Sequence, residues 1–167
     1  MNKNTLKSLL SIICLIAFIN IVTIILPVFS IGKTDAFTSI ENLFGYQLIA
    51  KLINGSLKDT AMIIFAVVYV VSLILSLFLI INCLANIKRE NYTGKSVISY
   101  SIFTFLFVLV FCVFVSVLIT QPDLSALLNE GVENTYKMGA GVYVSMLASS
   151  VNVVVAIATR KLALKKV

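Results

Sequence analysis

The chain of 167 residues is 60% apolar and only 12% charged, has a net charge of +6 and contains neither histidine nor tryptophan. A soluble domain carries about 25% charge and would give each helix a polar face. Here Ile, Leu, Val and Phe gather instead into four uncharged runs, 8–32, 60–87, 96–122 and 138–159. Each run exceeds the roughly 20 apolar residues that a helix needs to cross a bilayer core, and none alternates as a membrane barrel strand would. The sequence therefore predicts an all-α integral membrane protein, a four-helix transmembrane antiparallel bundle. A single tetraspan domain covers 1–167, with spans near 6–27, 60–86, 96–120 and 138–159 and outer loops 28–59 and 121–137.

The basic residues give the direction of threading. Lys3, Lys7, Lys88, Arg89, Lys95, Arg160, Lys161, Lys165 and Lys166 flank the spans on one side; Lys33, Lys51, Lys58 and Lys137 lie on the other, among six acids. Basic short loops stay cytoplasmic, so both termini are expected inside. That distribution marks topology, with a weak pull of the tail toward anionic lipid, and argues against nucleic acid as a partner.

The first span should run from about Leu6 to Leu26, since Pro27 disfavours helix at the residue before it. Its apolar stretch is too long for a signal peptide and no small-residue cleavage site follows. Asn20 falls near mid-membrane, where an unpaired amide is costly. Depth counting pairs it with Tyr69, or with Ser145 on the fourth span. In the loop that follows, Thr38 and Glu41 have capping-box spacing and Asn54-Gly55 is a helix stop. Between them Leu43, Tyr46, Ala50, Ile53 and Leu57 make an apolar stripe, opposite Gln47, Lys51, Asn54 and Lys58. A short amphipathic helix is expected there, lying on the outer surface, covering the bundle mouth or serving as a packed connector. Ser56 and Asp59 repeat the capping spacing before the second span.

The second span carries a row of Ser72, Ser76, Leu79, Cys83 and Asn86. Its nine-residue connector, with Thr93-Gly94 as a turn, makes the third span an antiparallel neighbour. Phe103, Phe105, Phe107, Phe111 and Phe114 crowd that span on more than one side, so some rings should meet lipid or a partner. Pro122 to Glu130 reads as a two-turn helix closed by Gly131. The fourth span, from near Met138, carries the strongest local signal: Gly141, Ser145, Ser149, Asn152 and Ala156 recur at helical spacing as one small, weakly polar face. Helices in lipid associate through close backbone approach and interhelical hydrogen bonds, so this face either closes the chain's own bundle or binds a second copy. Val68-Tyr69-Val70 and Val142-Tyr143-Val144 stand at corresponding places in the two hairpins, a short match that chance also explains.

Reactive chemistry is hard to place. No span contains a carboxylate, Lys or Arg, which proton relays and voltage sensors need. Zinc and haem want clusters of His, Cys or carboxylate, and no base stands beside a nucleophile in the membrane. Cys14, Cys83 and Cys112 all lie within spans and read as packing residues. No cofactor, metal or catalytic residue is expected.

In plan, with four spans and both termini inside, the chain resembles small tetraspan proteins: the MARVEL and claudin-like groups of eukaryotes and bacterial counterparts. The likeness is of topology. This chain lacks the Gly-Leu-Trp and the cysteine pair that claudins carry in the first outer loop, the membrane-embedded Glu of small multidrug transporters and the outer cysteine pairs of quinone-linked thiol oxidases.

These readings lead to an expected non-enzymatic accessory, immunity or scaffold subunit in a bacterial plasma membrane. It would pack through Asn20, Tyr69, Ser72, Ser76, Gly141, Ser145, Ser149, Asn152 and Ala156. Leu43, Phe44, Tyr46, Phe103, Phe107 and Phe111 are the candidates for contact with lipid or a membrane-protein partner. The alternative is a homo-oligomeric channel, pore or transporter component for a small solute or lipid, with Ser72, Ser76, Ser145, Ser149 and Asn152 along its path.

Overall fold

The computed structural model describes residues 3–33, 40–57, 60–90, 94–120 and 134–164. Its elements run α1 (Lys3–Val22), a 3-10 turn (Thr23–Ile25), β1 (Pro27–Lys33), β2 (Ile40–Phe44), α2 (Gly45–Ile53), α3 (Thr60–Lys88), α4 (Lys95–Thr120), β3 (Asn134–Met138) and α5 (Ala140–Leu164). Four helices are long and apolar enough to cross a membrane, as expected of a membrane-embedded protein. They pack in the cyclic order α1, α3, α4, α5 and back to α1. Lys3 of α1 pairs with Glu90 beyond the end of α3. Gly94, before α4, lies against Arg160 near the end of α5. Neighbours are therefore antiparallel, and the two ends of the described chain share one end of the bundle.

The opposite end carries a three-stranded antiparallel sheet in the order β2-β1-β3. Nothing in the sequence reading anticipated it, and the fold is thus mostly helical rather than all-α. β1 pairs with β2 from Pro27↔Phe44 to Gly32↔Ile40, with an irregularity between Pro27 and Phe29, and with β3 from Phe29↔Met138 to Lys33↔Asn134. Proline is tolerated at the first position of a strand, which is where Pro27 sits. Leu26, just before it, is already extended at φ −96°, ψ 152°. The first span accordingly ends in the 3-10 turn rather than at Leu26.

The sheet also redraws the loop. Ile40–Phe44 is strand, so α2 starts at Gly45; Thr38 lies outside the described residues. The start of α2 is held by Gln47, whose Oε1 accepts the Phe44 backbone N–H at 3.1 Å. Its end is the Schellman closure that Asn54-Gly55 foretold: Gly55 takes φ +62°, Ser56 N–H bonds Lys51 O at 3.0 Å and Gly55 N–H bonds Leu52 O at 3.2 Å. Ser56 also gives its hydroxyl to Lys51 O, so it serves α2 rather than the start of α3. Asp59 and the helix expected over Pro122–Glu130 lie outside the described residues. The expected stripe is divided, with Leu43 buried and Leu57 half-buried at its two ends. Gly45 and Leu48 are buried with Ile49 and Leu52 beside them, whereas Tyr46, Ala50 and Ile53 face outward.

Two glycines let the sheet sit tightly on the bundle. A Cβ on Gly139 would overlap the Pro27 carbonyl, and the Gly139 N–H donates to Val28 O at 2.8 Å. A Cβ on Gly45 would collide with the Tyr69 hydroxyl and stand 2.9 Å from Ile24 Cα. The short sequence match between spans does not correspond to equivalent sites, since Tyr69 is buried and Tyr143 exposed.

Candidate functional site

The core of the bundle has three zones along its axis. At the sheet end Val28, Leu43, Leu48, Phe65, Tyr69, Phe111 and Val142 form an apolar cluster. Phe111 packs with its ring tilted against Phe65 and Tyr69, the centroids 4.0 and 5.6 Å away. At the end where α1 begins and α5 ends, here the terminal end, Leu10, Ile13, Ala17, Leu79, Cys83, Val97 and Ala156 form a second, largely aliphatic cluster. Between them runs a belt of buried hydroxyls and amides.

Interhelical contacts fix the levels of this belt. Asn20 Nδ2 donates to Ser149 Oγ at 3.0 Å, joining α1 to α5. One turn toward the sheet, Ser145 donates to Thr23 Oγ1 at 3.1 Å, and the Tyr69 hydroxyl lies 3.4 Å from the same atom. Thr23 also donates to Asn20 O at 2.6 Å, so one threonine ties three helices together. Antiparallel packing from these points, with α4 set against α3 by Ser96 on Asn82 and Phe111 on Phe65, brings Asn20, Ser72 and Ser149 to one depth and Thr104 within about a turn of it. Ala17, Ser76, Ser101 and Asn152 come to the next, about 5 Å (one helical turn) nearer the termini. All eight are buried. Small side chains at the crossing of four helices follow from lipid being as apolar as leucine: packing and hydrogen bonds are what remain to hold helices together.

Most hydroxyls of the belt are spent on their own helix. Ser72 bonds Tyr69 O at 2.7 Å, Ser76 bonds Ser72 O at 3.0 Å and Thr104 bonds Tyr100 O at 2.8 Å. Four buried atoms find no protein partner among the described residues: Asn20 Oδ1, Ser101 Oγ and both Oδ1 and Nδ2 of Asn152. Buried polar atoms are nearly always hydrogen-bonded, which makes this group the chemical anomaly of the molecule.

The expected packing residues thus come together. Asn20, Tyr69, Ser72, Ser76, Ser145, Ser149, Asn152 and Ala156 are buried inside one chain, and Gly141 fits against the α1–β1 corner, its Cβ position 3.2 Å from Pro27 O. Asn20 bonds Ser149 rather than Tyr69 or Ser145, and Thr23 takes both of those hydroxyls. Thr23 and Ser101 were missed. Thr23 sits three residues after Asn20 on the same face, and that spacing could have found it. Of the residues expected at a lipid or partner surface, Leu43 and Phe111 are instead buried in the sheet-end cluster, Phe44 and Phe107 are half-buried, and Tyr46 and Phe103 are exposed.

At the terminal end, Lys3 holds the exposed Glu90 carboxyl below its ordinary range, first by a hydrogen bond and then by charge, with a smaller contribution from Lys7. Beside it Ser96 donates to Asn82 Oδ1 at 2.7 Å, linking α4 to α3. The three cysteines are free thiols. Among the described residues no three His, Cys, Asp or Glu side chains gather where a metal could bind. The chain matches no protein-family model, no curated protein and no solved structure.

Proposed function

We propose that this protein is a non-enzymatic accessory, immunity or scaffold subunit of a bacterial plasma-membrane assembly, with cytoplasmic termini and its recognition surface at the outer, sheet-bearing end. The observation that carries this reading is the outward stripe of α2. Tyr46 is 51% and Ile53 76% exposed, although the helix buries its other side against the core. Phe44 stacks on Tyr46 with ring centroids 5.8 Å apart, next to β2 at the edge of the sheet. An apolar stripe at the membrane surface, continuous with the last strand of the described sheet, suits a protein partner seated partly in lipid. Elsewhere the helices turn single apolar faces outward, such as Leu15 and Phe18 of α1 and Phe103, Leu106 and Val110 of α4. These suit acyl chains.

A channel assembled from several copies is the weaker reading. The serines and the asparagine that would line it are buried inside each chain, and apolar clusters stand at both ends of the belt. No histidine or intramembrane carboxylate offers a route to catalysis. Purification in mild detergent from native membranes tests the proposal. A stoichiometric partner that is lost on Ile53→Lys is expected. A lone chain that passes small solutes in liposomes would overturn it.

A further inference from the structure

We infer that the polar belt is an internal hydration site, in which water is bound at mid-membrane between Asn20, Ser101 and Asn152. The three side chains are 3%, 1% and 1% exposed, yet four of their polar atoms have no protein partner among the described residues. Their chemistry defines what fits. Asn152 Nδ2 and the Ser101 hydroxyl need an acceptor; Asn20 Oδ1 and Asn152 Oδ1 need a donor. A cation would satisfy the two carbonyl oxygens and repel the amide N–H, and an anion would do the reverse. The belt holds no ionised side chain to neutralise either, so a charge there would be costly. A hydrocarbon chain would leave all four atoms bare.

Water both donates and accepts, supplying the two kinds of partner these atoms lack, and buried waters characteristically bridge two to four otherwise unpaired groups. Space for it comes from the small residues at that depth. Ala17 and Ser76 stand level with Asn152 and Ser101, where leucines would fill the axis. The apolar clusters on either side, ending in Phe65 and Phe111 toward the sheet and in Ile13 and Leu79 toward the termini, isolate this water from both surfaces. The belt is therefore wet yet non-conducting.

The test is nuclear magnetic resonance on the full chain in detergent micelles, with asparagine side chains labelled with nitrogen-15. A dipolar cross-peak between water and the Asn152 side-chain amide protons is expected, unchanged by replacing sodium chloride with potassium or choline chloride. Ser101→Ala should weaken it while leaving the fold intact, and Asn152→Leu assigns the resonance by removing it. An Asn152 amide resonance that is observed but shows no water contact would overturn the inference. A shift of that resonance on sodium titration would also overturn it, by making the occupant a cation.

Discussion

The two apolar ends of the bundle core are built differently. At the terminal end, aliphatic side chains from α1, α3, α4 and α5 meet directly, and no residue outside the four helices is needed. At the sheet end the core is aromatic and depends on segments far apart in sequence: Val28 of β1, Leu43 of β2, Leu48 of α2 and Val142 of α5 close over Phe65, Tyr69 and Phe111. The first is what lipid-solvated helices do unaided. The second is a small globular core set on top of them, where backbone approach rather than side-chain size sets the limits.

That contrast can be broken most sharply at Gly139. Its Cβ would meet the Pro27 carbonyl, which is backbone and cannot rotate away. Gly139→Ala should cost about 3 kcal/mol, at the upper end of overpacking effects. Hydrogen exchange followed by mass spectrometry should show protection lost over β1, β2 and β3 with the terminal end unchanged. Phe111→Ala removes a ring from between Phe65 and Tyr69. It should cost roughly 2–3 kcal/mol, at or just below the usual range for such truncations; thermal unfolding in micelles measures it.

How much of this was legible beforehand follows the same division. The spans, their antiparallel order and the inward face of α5 could be read, because uncharged length and small residues at helical spacing are direct consequences of a hydrocarbon solvent. The sheet could not. β1 begins with Pro27 and continues the apolar run of α1 without a break, and β2 and β3 have five residues each. Strands that short are specified by their partners across the sheet, not by a period of their own. Within the belt, Asn20 announced itself as a polar residue out of place. Ser101 did not, since serines in helices commonly bond their own backbone and only packing shows that this one has no partner among the described residues.

Smaller effects sharpen the comparison further. Leu79→Ala, in the terminal cluster, should cost about 2 kcal/mol, near the low end for buried leucines, because lipid solvates the unpacked helix. Its exchange pattern should be the mirror image, with protection lost around Leu10 and Val97 and kept in the sheet. Asn20→Ala removes the bond to Ser149 and should cost about 0.6 kcal/mol, the average for interhelical hydrogen bonds in a membrane. A double-mutant cycle with Ser149→Ala isolates that value.

The least effect is expected at Glu90. Its carboxyl titrates lower in the folded chain than in the unfolded one, so the ion pair with Lys3 contributes fully above the unfolded pKa. The contribution is lost as pH falls through the folded pKa. Because the pair is exposed, Glu90→Gln should change the neutral-pH midpoint of unfolding only slightly and remove that part of the acid dependence.

The account depends most on the polar groups of α1 and α5 facing each other within one chain. With Cys14, Cys83 and Cys112 replaced by alanine, Asn20→Cys and Ser149→Cys should be bridged by mercuric ion in native membranes, giving a crosslinked species at the mass of a single chain. A product at twice that mass, with no internal bridge, would contradict it.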